Sequence, residues 1–158
     1  MKRFLFALFF VGLSVTAARP QMTIFVVRHA EKADASENAS LSEIGRARAE
    51  SLAMTLKDSN IAAIYATEFK RTQETAASLA RALGLEVTIV PASQTESLAA
   101  KLKMTNGNTL VVGHGNTIPG LLKALGIAKP VTINDADYDN LYVVVLGEKP
   151  QLIRLHYH

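Results

Sequence analysis

The 158-residue chain contains no cysteine and no tryptophan, and it shows no repeats or low-complexity linkers. Without cysteine the protein cannot form disulfides, and it cannot be anchored through a lipidated N-terminal cysteine. His156 and His158 lie two residues apart near the end of the chain, but no third ligand accompanies them with the spacing of a metal site. No motif for a nucleotide or redox cofactor is present, so we expect neither a cofactor nor a metal ion.

The first 18 residues predict an export signal. Met1–Arg3 is positively charged, residues 4–15 are apolar, and small residues follow at 16–18, an order typical of a secretory signal peptide. The alternative is an uncleaved membrane anchor, but the apolar stretch is shorter than the roughly 20 residues that a spanning helix needs. We therefore expect cleavage of residues 1–18, no stable membrane insertion afterwards, and a periplasmic or secreted bacterial protein.

The charge of the chain argues against a nucleic-acid partner. The formal net charge is +3, and removal of Lys2 and Arg3 with the leader would lower it to +1. So small a net charge gives little support for a general affinity for nucleic acid or anionic membranes.

After the leader, apolar runs alternate with helical patterns, which predicts one α/β domain over residues 22–158. We expect a three-layer α/β/α sandwich with a mostly parallel central sheet and a C-terminal antiparallel element. Four apolar runs predict the parallel strands, and two later runs predict a terminal hairpin: Met22–Val27, Ile61–Ala66, Glu86–Val90 and Thr109–Gly113, then Leu141–Leu146 and Gln151–His156.

Helices are predicted between these strands. Ser42 is the expected N-cap of a helix that runs to about residue 57. Thr67 is the expected N-cap of a second helix over residues 68–83, which ends at Gly84. Two further helices are expected over residues 96–104 and 117–125. The pattern of the first helix predicts an apolar face made of Ile44, Ala49, Leu52, Ala53 and Leu56.

Three of the predicted strands end in residues suited to binding or attacking phosphate. Arg28-His29 follows the first strand, Arg71 lies in the first turn of the helix after the second, and His114-Gly115-Asn116 follows the fourth. Ligands of open α/β sheets bind outside the carboxyl ends of the strands, so we expect one cationic pocket there. The alternatives are a surface arginine and histidines satisfied within the core.

The chemistry of this pocket would centre on His29. A neutral imidazole can attack phosphorus and form a covalent intermediate, which divides one difficult displacement into two easier ones. Neighbouring guanidinium groups favour the neutral ring because they disfavour a second positive charge. The forked N–H groups of Arg28 and Arg71 can each bind phosphoryl oxygens.

These segments resemble the motifs of the histidine phosphatase superfamily, also called the phosphoglycerate-mutase-like family. Arg28-His29-Ala30-Glu31 is similar to the Arg-His-Gly/Ala signature, and residues 66–76 are similar to the block that carries the second arginine. Val112-Gly113-His114-Gly115-Asn116 resembles the second-histidine motif. Residues 41–45 and 139–141 match the flanking pattern, and the motifs occur in the order that the family shows.

The resemblance implies a nucleophile at His29 and a phosphate pocket formed by Arg28, Arg71 and His114. It also implies a carboxyl group that protonates the leaving oxygen and then activates water. Glu96 is the candidate from the family's first branch, and Glu31 is the alternative. The chain departs from the family here, because residues 92–98 lack the usual motif around the acid. The second branch's His-Asp pair is also absent, since Gly115 follows His114.

The expected function is metal-independent hydrolysis of phosphomonoesters through a phosphohistidine at His29. Gly115 and Asn116 would help to bind the substrate, a small phosphorylated molecule that reaches an open pocket between short connections. Two alternatives remain at this point: removal of phosphate from protein phosphohistidine, and a module that binds phosphate or phosphoprotein without catalysis.

Overall fold

The computed structural model describes residues 22–158, so the signal peptide predicted at residues 1–18 lies outside the described residues. The strands and helices within this range have the following bounds: β1 (Thr23–Arg28), α1 (Glu43–Leu56), β2 (Ile61–Ala66), α2 (Lys70–Leu83), β3 (Val87–Ile89), α3 (Thr95–Met104), β4 (Asn108–Gly113), α4 (Ile118–Ala124), β5 (Asn140–Val145) and β6 (Gln151–His156).

Six strands form one sheet in the order β3-β2-β4-β1-β5-β6. Strands β1 to β4 are parallel, whereas β5 runs antiparallel to β1 and β6 antiparallel to β5. This confirms the predicted mostly parallel sheet with a terminal antiparallel element. Because β2, β4 and β1 lie side by side in the same direction, their carboxyl ends meet at one edge of the sheet. The segments that follow these strands are therefore neighbours.

Helices cover both faces of the sheet, which confirms the three-layer α/β/α arrangement. On one face α1 and α2 pack over the strands, with Leu56, Leu79 and Ile64 in one buried cluster. On the other face α3 and α4 contribute Leu102 and Leu122 to a second cluster. Burial from both sides explains why the parallel strands are continuous apolar runs and do not alternate with polar residues.

Helix α1 is capped as predicted but directs a different residue inward at its start. The Ser42 hydroxyl accepts a hydrogen bond of 3.0 Å from the Gly45 amide, which confirms the N-cap. The prediction of a buried Ile44 is wrong, since this side chain is 67% exposed. Gly45 faces inward instead and packs against the backbone of Glu31, where a Cβ would collide with the carbonyl oxygen. The glycine allows α1 to approach the segment that follows β1.

Helix α2 begins later than predicted. Its N-cap is Phe69, without a side-chain capping bond, and it ends at Gly84 in the left-handed conformation with φ 65°. The N-cap predicted at Thr67 is wrong because the hydroxyl of this residue is bonded to the ring of His114. Thr67 therefore contacts the histidine that follows β4 and does not cap the helix.

No helix within residues 22–158 is long and apolar enough to cross a membrane. No three His, Cys, Asp or Glu side chains in this range lie together in a group that could hold a metal ion.

Candidate active site

An open pocket of about 370 Å³ lies at the carboxyl ends of β1 and β4. Six of the residues that line it were predicted from the sequence, and two more come from the loop between α4 and β5. The predicted six are Arg28, His29, Arg71, His114, Gly115 and Asn116; the other two are Ile133 and Asp135. The fold thus brings four distant segments of the sequence to one place.

His29 lies directly after β1, with 4% of its surface exposed. Its Nδ1 is 2.8 Å from the carbonyl oxygen of Ala30. Because a carbonyl only accepts, Nδ1 carries the proton, and the electron pair of the neutral ring is on Nε2. The backbone is held on both sides, since the His29 amide donates to Gly113 and the Ala30 amide donates to the Thr75 hydroxyl.

Burial is the main cause that lowers the pKa of His29 to about 4. The hydrogen bond to Ala30 acts in the opposite direction, while the charges of His114, Arg28 and Arg71 lower the pKa further. At neutral pH the ring is therefore uncharged, as a nucleophile must be.

Arg28 is oriented by the loop between α4 and β5. Its Nη1 donates to the carbonyl oxygens of Asn134 and Asp135, each at 2.9 Å. Its Cζ lies 4.3 Å from the centroid of the Tyr138 ring, within the range of a cation–π contact. These contacts fix one guanidinium at the pocket, where it forms no ion pair with a carboxylate of residues 22–158.

Arg71 lies in the first turn of α2 and is held in a parallel manner. Its Nη1 donates to the Glu37 carbonyl at 2.6 Å, and its Cζ lies 4.5 Å from the centroid of the Phe69 ring. Burial first and the charge of Arg28 second lower the pKa of Arg71 from its usual value. The guanidinium remains charged at neutral pH because an arginine side chain loses its proton only in strongly alkaline solution.

Both guanidinium groups have donors left over for a ligand. The Nε atoms of Arg28 and Arg71 are buried and have no hydrogen-bond partner among the described residues. The only ion pairs in the described chain lie elsewhere, at Arg48–Glu31 and His156–Asp139. Two uncompensated positive charges with unused N–H groups are suited to an anion with several oxygens.

His114 closes the pocket on the β4 side, with 7% of its surface exposed. Its ring centroid is 5.4 Å from that of His29. Nε2 is 2.7 Å from the Thr67 hydroxyl, and Nδ1 is 3.5 Å from Nη2 of Arg71. Burial and then the charge of Arg71 lower the pKa of His114 to about 4, with Glu68 acting in the opposite direction.

The two carboxylates predicted as proton donors do not line this pocket. Glu96 lies exposed in the first turn of α3. Glu31 accepts a two-pronged bond from Arg48, with Nη2 to Oε1 at 2.7 Å and Nε to Oε2 at 2.9 Å. Although burial opposes it, this partnership holds the pKa of Glu31 below its usual value. A proton donor needs the opposite shift.

Three residues at the pocket were missed in the sequence. Ile133 and Asp135 line the pocket, and the Tyr138 ring lies 6.0 Å from that of His29 in addition to its contact with Arg28. All three belong to a polar loop between two predicted elements, so neither periodicity nor strand position pointed to them. The one signal was their position just before residues 139–141, which match the flanking pattern.

Comparisons with known proteins agree with this geometry. No curated protein matches the chain. Its structure is similar to the mycobacterial glucosyl-3-phosphoglycerate phosphatase, with a TM-score of 0.70 and 15% identity over 87% of this chain and 100% of that one. It is also similar to the protein histidine phosphatase SixA complexed with tungstate, with a TM-score of 0.68 and 20% identity over 85% of this chain and 97% of that one.

These structures share the fold of this chain at low identity. Residues 24–94, which contain His29 and Arg71, match the sequence model of the histidine phosphatase superfamily, branch 1. The sheet order and the pocket at its carboxyl edge agree with that match. The family match therefore covers the part of the chain that holds His29 and Arg71, and the described residues have the fold of histidine phosphatases.

Proposed function

We propose that this phosphatase hydrolyses phosphomonoesters through a phosphohistidine at His29 and that it needs no metal ion. The observation that carries the proposal is the buried His29 ring beside two guanidinium groups that form no ion pair within the described part of the chain. Its Nε2 electron pair is free because Nδ1–H is bonded to the Ala30 carbonyl. The low pKa keeps that electron pair available at neutral pH.

In the first step, Nε2 of His29 attacks phosphorus and the bond between phosphorus and the ester oxygen breaks. The leaving oxygen takes up a proton, and the ring gains positive charge that the Ala30 carbonyl stabilises through Nδ1–H. In the second step, water loses a proton and attacks the phosphohistidine, and the bond between nitrogen and phosphorus breaks. Inorganic phosphate leaves and His29 returns to its neutral form.

Arg28 and Arg71 would bind the equatorial phosphoryl oxygens through their free N–H groups. Charge builds on these oxygens in the transition state, so donors already fixed by backbone carbonyls stabilise it without reorganisation. This role would replace the positive charge that a metal ion supplies in other phosphatases. Gly115 and Asn116 line the same pocket and would contact the phosphoryl group or the ester oxygen.

The proton donor in this proposal is Asp135. It is the one carboxylic residue among those that line the pocket, and its backbone carbonyl already holds Arg28. Glu96 does not line the pocket, and Glu31 is bound to Arg48. Poor leaving groups need the proton most, so Asp135→Asn should slow hydrolysis of an alkyl phosphate far more than that of para-nitrophenyl phosphate. If Asp135→Asn slows hydrolysis of both substrates equally, or if Glu96→Gln selectively slows hydrolysis of the alkyl phosphate, Asp135 is not the proton donor.

The pocket is open, which supports a broad range of small phosphorylated substrates. Likeness to SixA, a protein histidine phosphatase, supports protein phosphohistidine as a second candidate substrate. A module that binds phosphate without catalysis is the competing class. Turnover of para-nitrophenyl phosphate separates this class from both enzymatic functions.

The experiment is an assay with para-nitrophenyl phosphate in the presence of EDTA and, separately, of vanadate. The protein should turn over in EDTA, should be inhibited by vanadate and should lose activity in His29→Ala. His156→Ala is a matched control, because this histidine is exposed and bonded to Asp139 away from the pocket. Saturable phosphate binding without turnover would favour the binding module instead.

A further inference from the structure

The hydroxyl groups behind His114 have no part in the function proposed so far. Nε2 of His114 lies 2.7 Å from Oγ1 of Thr67, which lies 2.9 Å from Oγ1 of Thr72. The Thr72 hydroxyl donates in turn to the Phe69 carbonyl at 2.7 Å. All three side chains are buried, Thr72 completely. Bulk water therefore has no ready access to replace these hydrogen bonds.

Arg71 sets the direction of this chain of hydrogen bonds. The donor beside Nδ1 of His114 is Nη2 of Arg71, at 3.5 Å. A guanidinium only donates, so Nδ1 accepts and the proton of the neutral ring lies on Nε2. Nε2–H then donates to Thr67, Thr67 donates to Thr72, and Thr72 donates to the Phe69 carbonyl. Every N–H and O–H group in this series of hydrogen bonds has an acceptor, so the arrangement is self-consistent.

This proton position determines what His114 offers to a ligand through its other ring nitrogen, Nδ1, which lies beside Arg71 at the pocket. With its proton on Nε2, His114 presents an electron pair at Nδ1. The oxygens of a dianionic phosphoryl group are also acceptors, so the two would repel each other. One proton between Nδ1 and a phosphoryl oxygen replaces this repulsion with a hydrogen bond. The result is the same whether the proton is bonded to the ring nitrogen or to the oxygen.

We propose that Thr67 is a positioning residue that holds the proton of His114 on Nε2, so that a dianionic phosphoryl group binds together with one proton shared by Nδ1. The inference rests on the proposed function for the site where the phosphoryl group binds. Its premise, the position of the proton in the free protein, does not depend on catalysis. The charged and titratable groups that face His114 are Arg71, Arg28, His29 and Glu68.

His29 could also take up a proton when phosphate binds, so the test uses the His29→Ala protein. Binding of inorganic phosphate is measured by calorimetry at about pH 8, where free phosphate is mainly the dianion, in buffers that differ in enthalpy of protonation. We expect about one proton to be taken up for each phosphate bound. Uptake near zero would overturn the inference, whereas failure of phosphate to bind at all would overturn the proposed function of the pocket.

Two variants at position 67, each made in the His29→Ala protein, then separate positioning from packing. Thr67→Val keeps the shape but removes the acceptor for Nε2–H, so the proton should move to Nδ1 and proton uptake should fall toward zero. Thr67→Ser retains the hydroxyl and should keep the uptake of about one proton. Equal uptake in both variants would contradict the role given to the hydroxyl.

The premise is tested in the free protein by nitrogen-15 NMR of the imidazole groups. The spectrum distinguishes a ring protonated at Nε2 from one protonated at Nδ1, and we expect Nε2–H for His114. A ring protonated at Nδ1 in the free protein would refute the proposal even if Thr67→Val failed to fold. Thermal unfolding followed by circular dichroism shows whether each variant is folded before its binding is compared.

Discussion

The two histidines of the pocket share their burial but differ in the partner of one nitrogen. Both rings are almost fully buried, and the pKa of each is lowered to about 4. His29 donates from Nδ1 to a carbonyl, whereas His114 contacts a hydroxyl through Nε2. Burial thus makes both rings neutral, and the hydrogen-bond partner decides which nitrogen faces the ligand with an electron pair. In His29 that nitrogen is the proposed nucleophile, and in His114 it is the proposed site of a shared proton.

The largest expected effect distinguishes the roles of these two rings. His29→Ala should abolish turnover because no group remains to form the covalent intermediate. His114→Ala should lower kcat by about 10²–10³-fold, which is typical for loss of one preorganised group at a developing charge. Steady-state kinetics with para-nitrophenyl phosphate tests both. Equal residual activity in the two variants would remove the distinction between nucleophile and supporting group.

Removal of one guanidinium should have an effect of similar size to the loss of His114. Arg71→Ala should lower kcat/KM by about 10²–10³-fold, because one of the two fixed cations for the equatorial oxygens is lost. Arg71→Lys should retain only part of the kcat/KM of the parent protein, since an ammonium group cannot reproduce the forked donors of a guanidinium. Lys70→Ala is the matched control, an exposed cation one residue earlier in the same helix. A comparable loss in Lys70→Ala would show that general positive charge, and not the fork of Arg71, is what matters.

The shared burial of the two rings predicts a pH-dependent stability. Each folded pKa of about 4 lies below the unfolded value of 6.5, so the unfolded state binds more protons between these values. The contribution of these two rings to stability should be constant above about pH 6.5 and should fall as the pH drops toward 4, by about 3 kcal/mol for each histidine.

Urea unfolding at a series of pH values measures this loss. Replacing His29 with asparagine, which does not titrate, should remove the contribution of that ring between pH 6.5 and 4. The same steep loss in the variant as in the parent protein would show that the His29 pKa is not lowered in the folded state.

The smallest expected effect concerns the ring that supports Arg28. Tyr138→Leu removes a cation–π contact worth about 0.5–2 kcal/mol, so we expect KM to rise severalfold with a smaller change in kcat. Tyr138→Phe keeps the aromatic face and should stay close to the parent protein. If Tyr138→Phe is as impaired as Tyr138→Leu, the hydroxyl group and not the ring face carries the contribution.

The sequence was sufficient to predict the strands and the charged residues after them, because both follow from local rules. A continuous apolar run predicts a strand buried on both faces, and residues after parallel strands meet at one edge. These rules predict that Arg28, Arg71 and His114 lie near His29, and all four residues line one pocket. The contribution of Ile133 and Asp135 to the pocket lining could not be predicted in the same way. It depends on how the loop between α4 and β5 folds back, which no periodicity records.

The error at Thr67 has a related cause. A threonine just before a helical pattern favours an N-cap, and only the fold reveals that its hydroxyl is bonded to His114, 47 residues later. Ile44 was misplaced because the close approach of Gly45 to Glu31 sets the rotation of α1. In each case a tertiary contact outweighed a local preference.

The most direct test of the account is to locate the phosphoryl group in the covalent intermediate. The protein is mixed with a radiolabelled phosphomonoester, quenched within milliseconds under alkaline conditions that preserve phosphohistidine, and digested for peptide mapping. We expect the label on His29, in an amount that saturates with substrate. Label on any other residue, or continued turnover with no labelled protein at any time, would contradict the proposed nucleophile.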